Sequence, residues 1–219
     1  MDYYHWVRQE IKPLLPKNPS RILEVGAGAG HTLKWIKELY PKTETTAVEI
    51  NSALLQELRQ NVDVPIIGPI DEALPQLKSY DLILFLDVLE HLSDPTATLR
   101  NLSKHLEANG QVIVSVPNIA HLSVSVPLLL QRRFDYQDAG ILDRTHLKFF
   151  VEGTAIKLLN DANFIVTAGL VSGIQGPKSK LLDLVSFGGL RHHLAKQYIM
   201  LGQLTDGKLS QERIRWALA

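Results

Sequence analysis

A short apolar run that ends in three alternating glycines constrains this chain more than any other feature. Residues 22–25 precede Gly26, Gly28 and Gly30, and an amphipathic pattern follows over residues 31–40. This order predicts a strand, a tight turn and a helix. Glycine suits a turn whose backbone takes positive φ, or one that lies so close to a ligand that a Cβ would collide with it. Because a helix start offers unpaired N–H groups, we expect this turn to bind a nucleotide-like ligand.

Apolar runs and helical patterns alternate along most of the chain. Further strands are predicted at residues 45–49, 64–68, 81–87, 111–116, 164–170 and 197–201, with helices between them that include 152–161 and 178–195. Pro65 favours an edge position for the third strand, and the continuous apolar run before Asp87 is typical of a strand covered on both faces. The helix that begins at Asp94 is expected to end at Asn109-Gly110. This alternation predicts an α/β fold, a doubly wound and mostly parallel sheet of seven strands.

The regular alternation breaks between residues 117 and 150. This segment follows the carboxyl end of the fifth strand, where open α/β sheets bind their ligands, so we interpret it as an acceptor-side insertion for a second substrate. We interpret residues 1–219 as a single domain with two appendages. Residues 1–20 form an N-terminal helical cap with a helix from Tyr3 to Leu15, which either covers the nucleotide site or packs on the sheet edge. Residues 204–219 form a C-terminal tail with a terminal helix.

Composition and charge exclude several classes of partner. The 23 basic and 23 acidic residues give no electrostatic reason to expect nucleic acid or an anionic membrane. The absence of cysteine excludes disulfides and thiolate metal sites, and His192-His193 has no acidic third ligand at metal spacing, so no metal is predicted. No secretory signal is present, and the longest apolar run is far shorter than the ~20 residues of a membrane span. We expect a cytoplasmic protein that binds small molecules, and a homodimer is one of the oligomeric states that the sequence allows.

The spacing of the glycines distinguishes between nucleotide cofactors. A dinucleotide fingerprint counted from Gly26 requires glycine or alanine at position 31, where this chain has His31. Glu49 ends the second strand, where a carboxylate can accept hydrogen bonds from ribose hydroxyls in either class of enzyme. His31 therefore disfavours a nicotinamide-dependent oxidoreductase, which is the alternative enzyme. A non-catalytic cofactor-binding protein with this fold is the alternative outside enzymes.

Several segments together resemble the Rossmann-like S-adenosylmethionine-dependent methyltransferases. They are residues 24–30, Glu49 and residues 87–92. Residues 115–121 and 140–150 resemble a small-molecule subgroup that is related to the quinone-biosynthesis methyltransferases. The resemblance implies transfer of a methyl group from S-adenosylmethionine to a small-molecule acceptor, and we expect a hydroxyl oxygen as the methylated atom.

The resemblance also implies how the cofactor lies. The glycine turn would lie under the methionine part, Glu49 would bind the ribose, and Asp87 would line the methionine end. Pro69 stands where the family has an acid for the adenine amino group, so that contact passes to Asp71, to the backbone of Ile70 or to nothing. The implied cofactor-binding residues are Glu24, Gly26, Ala27, Gly28, Gly30, Glu49, Ile50, Ile70, Asp71, Leu86 and Asp87.

Candidate catalytic and acceptor-binding residues come from the insertion. His121 and His146 could each remove a proton from a hydroxyl group, because a neutral imidazole titrates near physiological pH. Asn118, Asp143 and Arg144 are predicted to bind the acceptor. An ion pair between Asp143 and Arg144 that fixes the loop is the alternative interpretation of those two residues.

Overall fold

A single eight-stranded sheet organises the computed structural model, which describes residues 3–174, 177–186, 189–205 and 214–219. The strands are β1 (Arg21–Val25), β2 (Glu44–Glu49), β3 (Val64–Ile67), β4 (Tyr80–Leu86), β5 (Leu106–Pro117), β6 (Phe164–Ser172), β7 (Gln197–Leu204) and β8 (Trp216–Leu218). The described α-helices are α1 (His31–Leu39), α2 (Leu55–Asn61), α3 (Ile70–Ala73), α4 (Pro95–Ser103), α5 (Leu122–Gln131), α6 (Glu152–Asp161), α7 (Pro177–Val185) and α8 (Arg191–Leu194). None of these helices is long and apolar enough to cross a membrane.

The strand order is β3-β2-β1-β4-β5-β7-β6-β8. Strand β7 is antiparallel to both of its neighbours, and every other pair of adjacent strands is parallel. The predicted α/β class and mostly parallel sheet are therefore confirmed, and β3 lies at an edge as its proline predicts. Because β1 to β5 run in one direction, their carboxyl ends share one edge of the sheet.

Strand β4 lies in the middle of the sheet and contributes to two hydrophobic cores. Ile83 and Phe85 belong to the core on one face, while Leu82, Leu84 and Leu86 belong to the core on the other. All five side chains are buried. The continuous apolar run therefore reflects coverage on both faces, as expected from the sequence.

The sheet has one strand more than the seven predicted. Strand β8 pairs in parallel with β6, and Trp216 lies opposite Gly169. A Cβ on Gly169 would come within 2.6 Å of the Trp216 ring, so the glycine allows the indole to pack against the strand. The predicted terminal helix is wrong for the described part of the tail, and residues 206–213 lie outside the described residues. Three residues are too few to display the alternation that identifies a strand.

Two predicted helix boundaries are wrong, whereas α6 has the predicted bounds. Helix α4 ends at Ser103, and Asn109-Gly110 lies instead within β5. There the register against β4 jumps, because Tyr80 pairs with Leu106 and Leu82 with Gln111. The segment predicted as one helix over residues 178–195 contains α7 and α8, and residues 187 and 188 between them lie outside the described residues.

The N-terminal segment forms two 3-10 helices, Tyr3–His5 and Gln9–Leu14, rather than the predicted α-helix. Pro13 lies inside the second one and has no N–H group for an α-helical hydrogen bond. Ile11 and Leu14 are buried in the same core as β1 and α1, so this part of the segment packs on the sheet.

Candidate active site

The glycine turn lies between β1 and α1 at the carboxyl edge of the sheet. Gly26, Gly28 and Gly30 have φ angles of 70°, 55° and 81°. A Cβ on Gly26 would lie 2.5 Å from a methyl group of Val88, and a Cβ on Gly28 would lie 2.9 Å from the carbonyl oxygen of Tyr4. Both the left-handed backbone and the close packing therefore require glycine. Ala27 lies between two of these glycines and is buried. Its φ is not positive, so alanine fits there without backbone strain.

Glu49 holds the glycine turn beside the end of β2. Its Oε2 accepts a hydrogen bond from the Gly28 N–H at 2.8 Å, and its Oε1 accepts one from the Asn51 N–H at 2.9 Å. The side chain is buried, whereas the adjacent Ile50 is 73% exposed. This part of the edge therefore combines a fixed carboxylate with an exposed apolar side chain.

Arg8, from the N-terminal segment, is a buried charge in the site that the sequence analysis missed. Its side chain donates hydrogen bonds to Asp87 Oδ2 at 2.7 Å, to Ser115 Oγ at 3.2 Å and to Gln197 Oε1 at 3.3 Å. Burial lowers the pKa of Arg8, but Asp87 and Glu10 outweigh this effect and leave the pKa above its usual value. The guanidinium therefore stays charged inside the site.

Asp87 directly follows β4 and has a φ of 59°, which is uncommon outside glycine. Its Oδ1 accepts a hydrogen bond from Ser115 Oγ at 2.7 Å, and its Oδ2 accepts one from Gln197 Nε2 at 2.8 Å in addition to the Arg8 contact. Arg8, Asp87, Ser115 and Gln197 thus form one polar network, which joins the N-terminal segment to β4, β5 and β7. The preceding Leu86 is buried in the core below this network.

Glu24 is a buried carboxyl group next to this network. It is 3% exposed, and its Oε2 has no hydrogen-bond partner among the described residues. Burial raises the pKa of Glu24 to about 8, and the nearby Glu49 adds to the rise although Arg8 opposes it. A buried polar atom without a partner costs free energy, and a cationic group bound beside it would compensate that cost.

We expect Glu24→Gln to change the pH dependence of stability. The Glu24 carboxyl has a pKa of about 8 in the folded protein and an unperturbed value of 4.5. The folded state therefore binds more protons than the unfolded state between these values, and wild-type stability falls as the pH rises through that window. At pH 8.5 the variant should be more stable than the wild type by roughly 2–4 kcal/mol, and near pH 4 the two should be equal. Urea unfolding at both pH values measures the difference, and a difference that is the same at both would contradict the assignment.

His146 belongs to the predicted acceptor-side insertion and packs edge-on against His91 with 4.8 Å between ring centroids. Its Nδ1 lies 3.1 Å from the carbonyl oxygen of Ile141. Because a carbonyl only accepts, the hydrogen of the neutral ring is on Nδ1 and Nε2 has a free lone pair. Partial burial and the nearby His91 lower the pKa of His146, although the Ile141 hydrogen bond and the carboxylates of Asp143 and Asp87 oppose this. The ring is therefore neutral at physiological pH and can accept a proton at Nε2.

His121 has the opposite arrangement. It is the N-cap of α5, and its Nδ1 accepts a hydrogen bond from the Ser123 N–H at 3.1 Å. The neutral ring consequently has its hydrogen on Nε2, where it cannot take up a second proton as a base. Burial, with Lys196 nearby, lowers the pKa of His121 and disfavours the charged form. This geometry favours a capping role and does not support the prediction that His121 is catalytic.

Asn118 is fully buried at the start of the insertion. Its Nδ2 donates to the carbonyl oxygens of His192 and Ala195, at 2.6 and 2.8 Å, and its Oδ1 accepts from the Ala120 N–H at 3.0 Å. Both amide hydrogens are therefore used within the protein. The geometry favours an anchoring role for Asn118 and does not support direct contact with an acceptor.

The alternative ion pair between Asp143 and Arg144 is absent from the structure. Arg144 pairs with Asp138 at 2.7 Å, and both side chains are largely exposed. Asp143 accepts hydrogen bonds from the Thr145 N–H and hydroxyl at 2.8 and 2.7 Å. Partial burial opposes the effect, but these hydrogen bonds hold the pKa of Asp143 below its usual value. Each residue therefore orders the loop through a partner that the sequence analysis did not identify.

Glu90 lies close to His91 and His146 and is completely buried. Neither of its carboxyl oxygens has a hydrogen-bond partner among the described residues. Burial, followed by the charge of Asp87, raises the pKa of Glu90 well above its usual value, which favours the protonated form. Ligand atoms of Glu90, His91 and His146 all lie within 4.8 Å of one another, a spacing that also suits a divalent cation. The described residues contain a second group with this spacing, His5, His31 and Glu57, and the His192-His193 pair belongs to neither.

The residues predicted for the adenine line a cleft on the surface of the protein. Ile70 and Asp71 begin α3 and line a cleft of about 420 Å³ together with Leu92 and Asp94. Neither the glycine turn nor Glu49 lines this cleft. Adenine binding by Asp71 or by the backbone of Ile70 therefore stays a prediction.

The chain belongs to the methyltransferase domain family, whose model matches residues 2–168. The fold is also that of a solved S-adenosylmethionine-dependent methyltransferase from Archaeoglobus fulgidus. The TM-score is 0.65 at 16% sequence identity, and the similarity covers 90% of this chain and 91% of that one. The resemblance of the glycine turn, Glu49 and residues 87–92 to this class is thereby confirmed, and the cofactor of the class is S-adenosylmethionine.

Two curated relatives show how far the sequence similarity extends. A malonyl-[acyl-carrier protein] O-methyltransferase from Anoxybacillus flavithermus is 35% identical over 101 residues, which are 44% of this chain and 39% of the relative. A ubiquinone biosynthesis O-methyltransferase from Xanthomonas oryzae pv. oryzae is 28% identical over 106 residues, which are 45% of this chain and 44% of the relative. The matched part of this chain thus spans less than half the length of these relatives.

The charges at the carboxyl edge fit the groups that S-adenosylmethionine carries. The N–H groups of the glycine turn are hydrogen-bonded within the protein, since Gly28 donates to Glu49 and Ala29 donates to the carbonyl oxygen of Tyr4. Glu49 offers a carboxylate at the position expected for ribose hydroxyls. The guanidinium of Arg8 already donates to the carboxylates of Glu10 and Asp87, so its surroundings suit an anionic group, and the unpartnered oxygen of Glu24 is suited to an ammonium group.

Proposed function

We propose that this protein transfers the methyl group of S-adenosylmethionine to a hydroxyl oxygen of a small-molecule acceptor. The observation that carries the proposal is the carboxyl edge of the sheet, where Glu49 fixes the glycine turn and the Arg8 guanidinium and the Glu24 carboxyl group are both buried. Methylation at oxygen is supported by the names of the two curated relatives, which are both O-methyltransferases. The orientation of His146 also favours it, because a hydroxyl acceptor benefits from a base.

Each side chain at the carboxyl edge has a proposed contact. Glu49 binds the ribose hydroxyls, Arg8 binds the carboxylate of the methionine part, and Glu24 binds its ammonium group. Since an ammonium group favours the ionised form of Glu24, cofactor binding near pH 7 should release a proton. Asp87 keeps the guanidinium of Arg8 in place and stays linked to Gln197 and Ser115.

The chain's own residues align the acceptor and remove its proton. When bound, the cofactor supplies a methyl group activated by a positively charged sulfur. The residues around the site would hold the acceptor oxygen in line with this methyl group, which it would receive. His146 Nε2 takes the hydroxyl proton as the oxygen–carbon bond forms, and the Ile141 carbonyl holds the other ring nitrogen so that Nε2 remains the acceptor. Burial favours the protonated form of Glu90, and in that form the group adds no negative charge that would raise the pKa of the base.

Calorimetry with S-adenosylmethionine, its demethylated product and NAD tests the proposal. We expect micromolar binding of the first two and none of NAD. Binding of NAD alone would support the nicotinamide-dependent alternative, and binding of none of the three would contradict the cofactor assignment. Cofactor binding without turnover of any phenolic or sugar hydroxyl would favour a non-catalytic protein.

We expect Glu49→Gln to weaken binding of S-adenosylmethionine by about 1–3 kcal/mol, because the variant loses a charge-assisted acceptor for the ribose. Glu44→Gln is a matched control on the same strand, since Glu44 pairs only with the exposed Lys78 among the contacts described for its side chain. Calorimetry of both variants gives the difference. Equal affinities of the two variants for S-adenosylmethionine would contradict the proposed contact between Glu49 and the cofactor.

A further inference from the structure

A second cluster of metal-ligating side chains joins the N-terminal segment to the helices around the glycine turn. His5 lies in the first 3-10 helix, His31 begins α1, and Glu57 lies in α2. One ligand atom from each residue lies within 4.8 Å of the other two. Three parts of the chain that are distant in sequence therefore present two imidazoles and one carboxylate to a common point.

The geometry of the cluster suits one small cation. His5 Nε2 lies 3.0 Å from Glu57 Oε2, and His31 Nε2 lies 3.0 Å from Glu57 Oε1. The two rings are 5.3 Å apart, and both direct Nε2 toward the same carboxylate. Zinc binds imidazole nitrogen and carboxylate oxygen at about 2.0–2.2 Å, which places tetrahedral ligands roughly 3.4 Å apart. Small side-chain rotations would bring the three ligand atoms to that spacing.

Partial exposure allows a hydrated ion to reach this cluster. The side chains of His5, His31 and Glu57 are 38%, 26% and 36% exposed. The hydrogen bonds from the two histidines hold the pKa of Glu57 below its usual value, so the carboxylate is ionised at neutral pH. Two imidazoles and one ionised carboxylate leave the fourth position of a tetrahedral ion for water.

The cluster also lies next to the contact that covers the glycine turn. The carbonyl of Tyr4, which adjoins His5, accepts a hydrogen bond from the Ala29 N–H at 3.0 Å. The same carbonyl oxygen lies 2.9 Å from the position that a Cβ of Gly28 would take. A cation between His5 and His31 would therefore attach the N-terminal segment to the start of α1, next to the contact of Tyr4 with the glycine turn.

We propose that His5, His31 and Glu57 form a zinc site that holds the N-terminal segment closed over the glycine turn. The site is distinct from the Glu90, His91 and His146 group. Metal binding at this site is independent of the proposed methyltransferase activity.

Competition between untagged protein and a chromophoric zinc chelator tests the site. We expect His31→Gln and Glu57→Gln each to weaken zinc binding at least tenfold. The matched control is His105→Gln, at a surface histidine whose Nδ1 bonds only to the Lys78 carbonyl among its described contacts, and it should bind like the wild type. Equal binding by wild type and Glu57→Gln, or a loss confined to His91→Gln, would overturn the proposal. Thermal unfolding without zinc shows whether each variant is folded.

Limited trypsin digestion measures closure of the segment. Cleavage after Arg8 requires this buried residue to leave the site, so zinc should slow that cleavage at least fivefold in the wild type and have no effect in His5→Gln. Zinc that binds without slowing cleavage would contradict the closure. If zinc binds and S-adenosylmethionine does not, the zinc site stands and the proposed methyltransferase function fails.

Discussion

Replacing Arg8 by methionine should lower the free energy of unfolding by about 3–5 kcal/mol, which is the usual cost of breaking a buried ion pair by removing one partner. Arg8 is 8% exposed and makes hydrogen bonds to Asp87, Ser115 and Gln197. Methionine fills a similar volume but has no charge, so the partly buried carboxylate of Asp87 would lose its cationic partner. The pKa of Glu24 should rise further, because Arg8 is the cation that opposes the effect of burial. Urea unfolding at pH 7 measures the loss.

Arg133→Met is the matched control for this variant. Arg133 forms an ion pair with Asp135, but the two side chains are 63% and 60% exposed. An exposed pair of this kind contributes about 0–1 kcal/mol, so the control should unfold like the wild type. If Arg8→Met were no less stable than Arg133→Met, the buried network would contribute nothing to stability. Arg8→Lys keeps the charge but loses the planar fork, and we expect it to recover only part of the stability.

His146→Gln should lower kcat by about 10²–10⁴-fold with any hydroxyl acceptor that the wild type methylates, because glutamine cannot take up a proton. Affinity for S-adenosylmethionine should stay nearly unchanged, since His146 belongs to the predicted acceptor-side insertion. Protonation of His146 removes the lone pair on Nε2, so the wild-type rate should fall as the pH decreases through the pKa of this group. Because burial lowers that pKa, the fall should lie below the usual range of histidine. The rate of the His146→Gln variant should not show this fall at low pH.

His121→Gln distinguishes the role of His121 from that of His146. Its expected effect is a loss of about 0.5–2 kcal/mol in stability from the α5 cap, with kcat unchanged. Steady-state kinetics and thermal unfolding of both variants measure the two effects. A fall in kcat for His121→Gln and none for His146→Gln would reverse the assignment.

The sequence predicted those parts of the fold and site that depend on local patterns. The apolar run of β4 and the alternating glycines each specify their own structure, because burial on two faces and positive φ act on consecutive residues. Arg8 could not be predicted in this way. Its partners Asp87, Ser115 and Gln197 are 79, 107 and 189 positions away, so its burial follows only from the packing of the whole sheet.

The two histidines of the insertion show a second limit. His121 and His146 are the same residue type in the same segment, and their difference lies in which ring nitrogen is already engaged. A backbone N–H from Ser123 faces His121, whereas a carbonyl from Ile141 faces His146. That distinction depends on the conformation of the loop, which cannot be predicted from the local pattern of residue types.

The antiparallel direction of β7 has a consequence for biosynthesis. Because β7 runs against its neighbours, its first residue, Gln197, meets the end of β5 opposite Pro117 and reaches Asp87, which lies 110 positions earlier. Strands β1 to β5 can pair while the ribosome is still translating the second half of the chain. The polar network around Arg8, however, is incomplete until residue 197 has left the exit tunnel. We therefore expect nascent chains to acquire their central sheet early and their capacity to bind the cofactor late in translation.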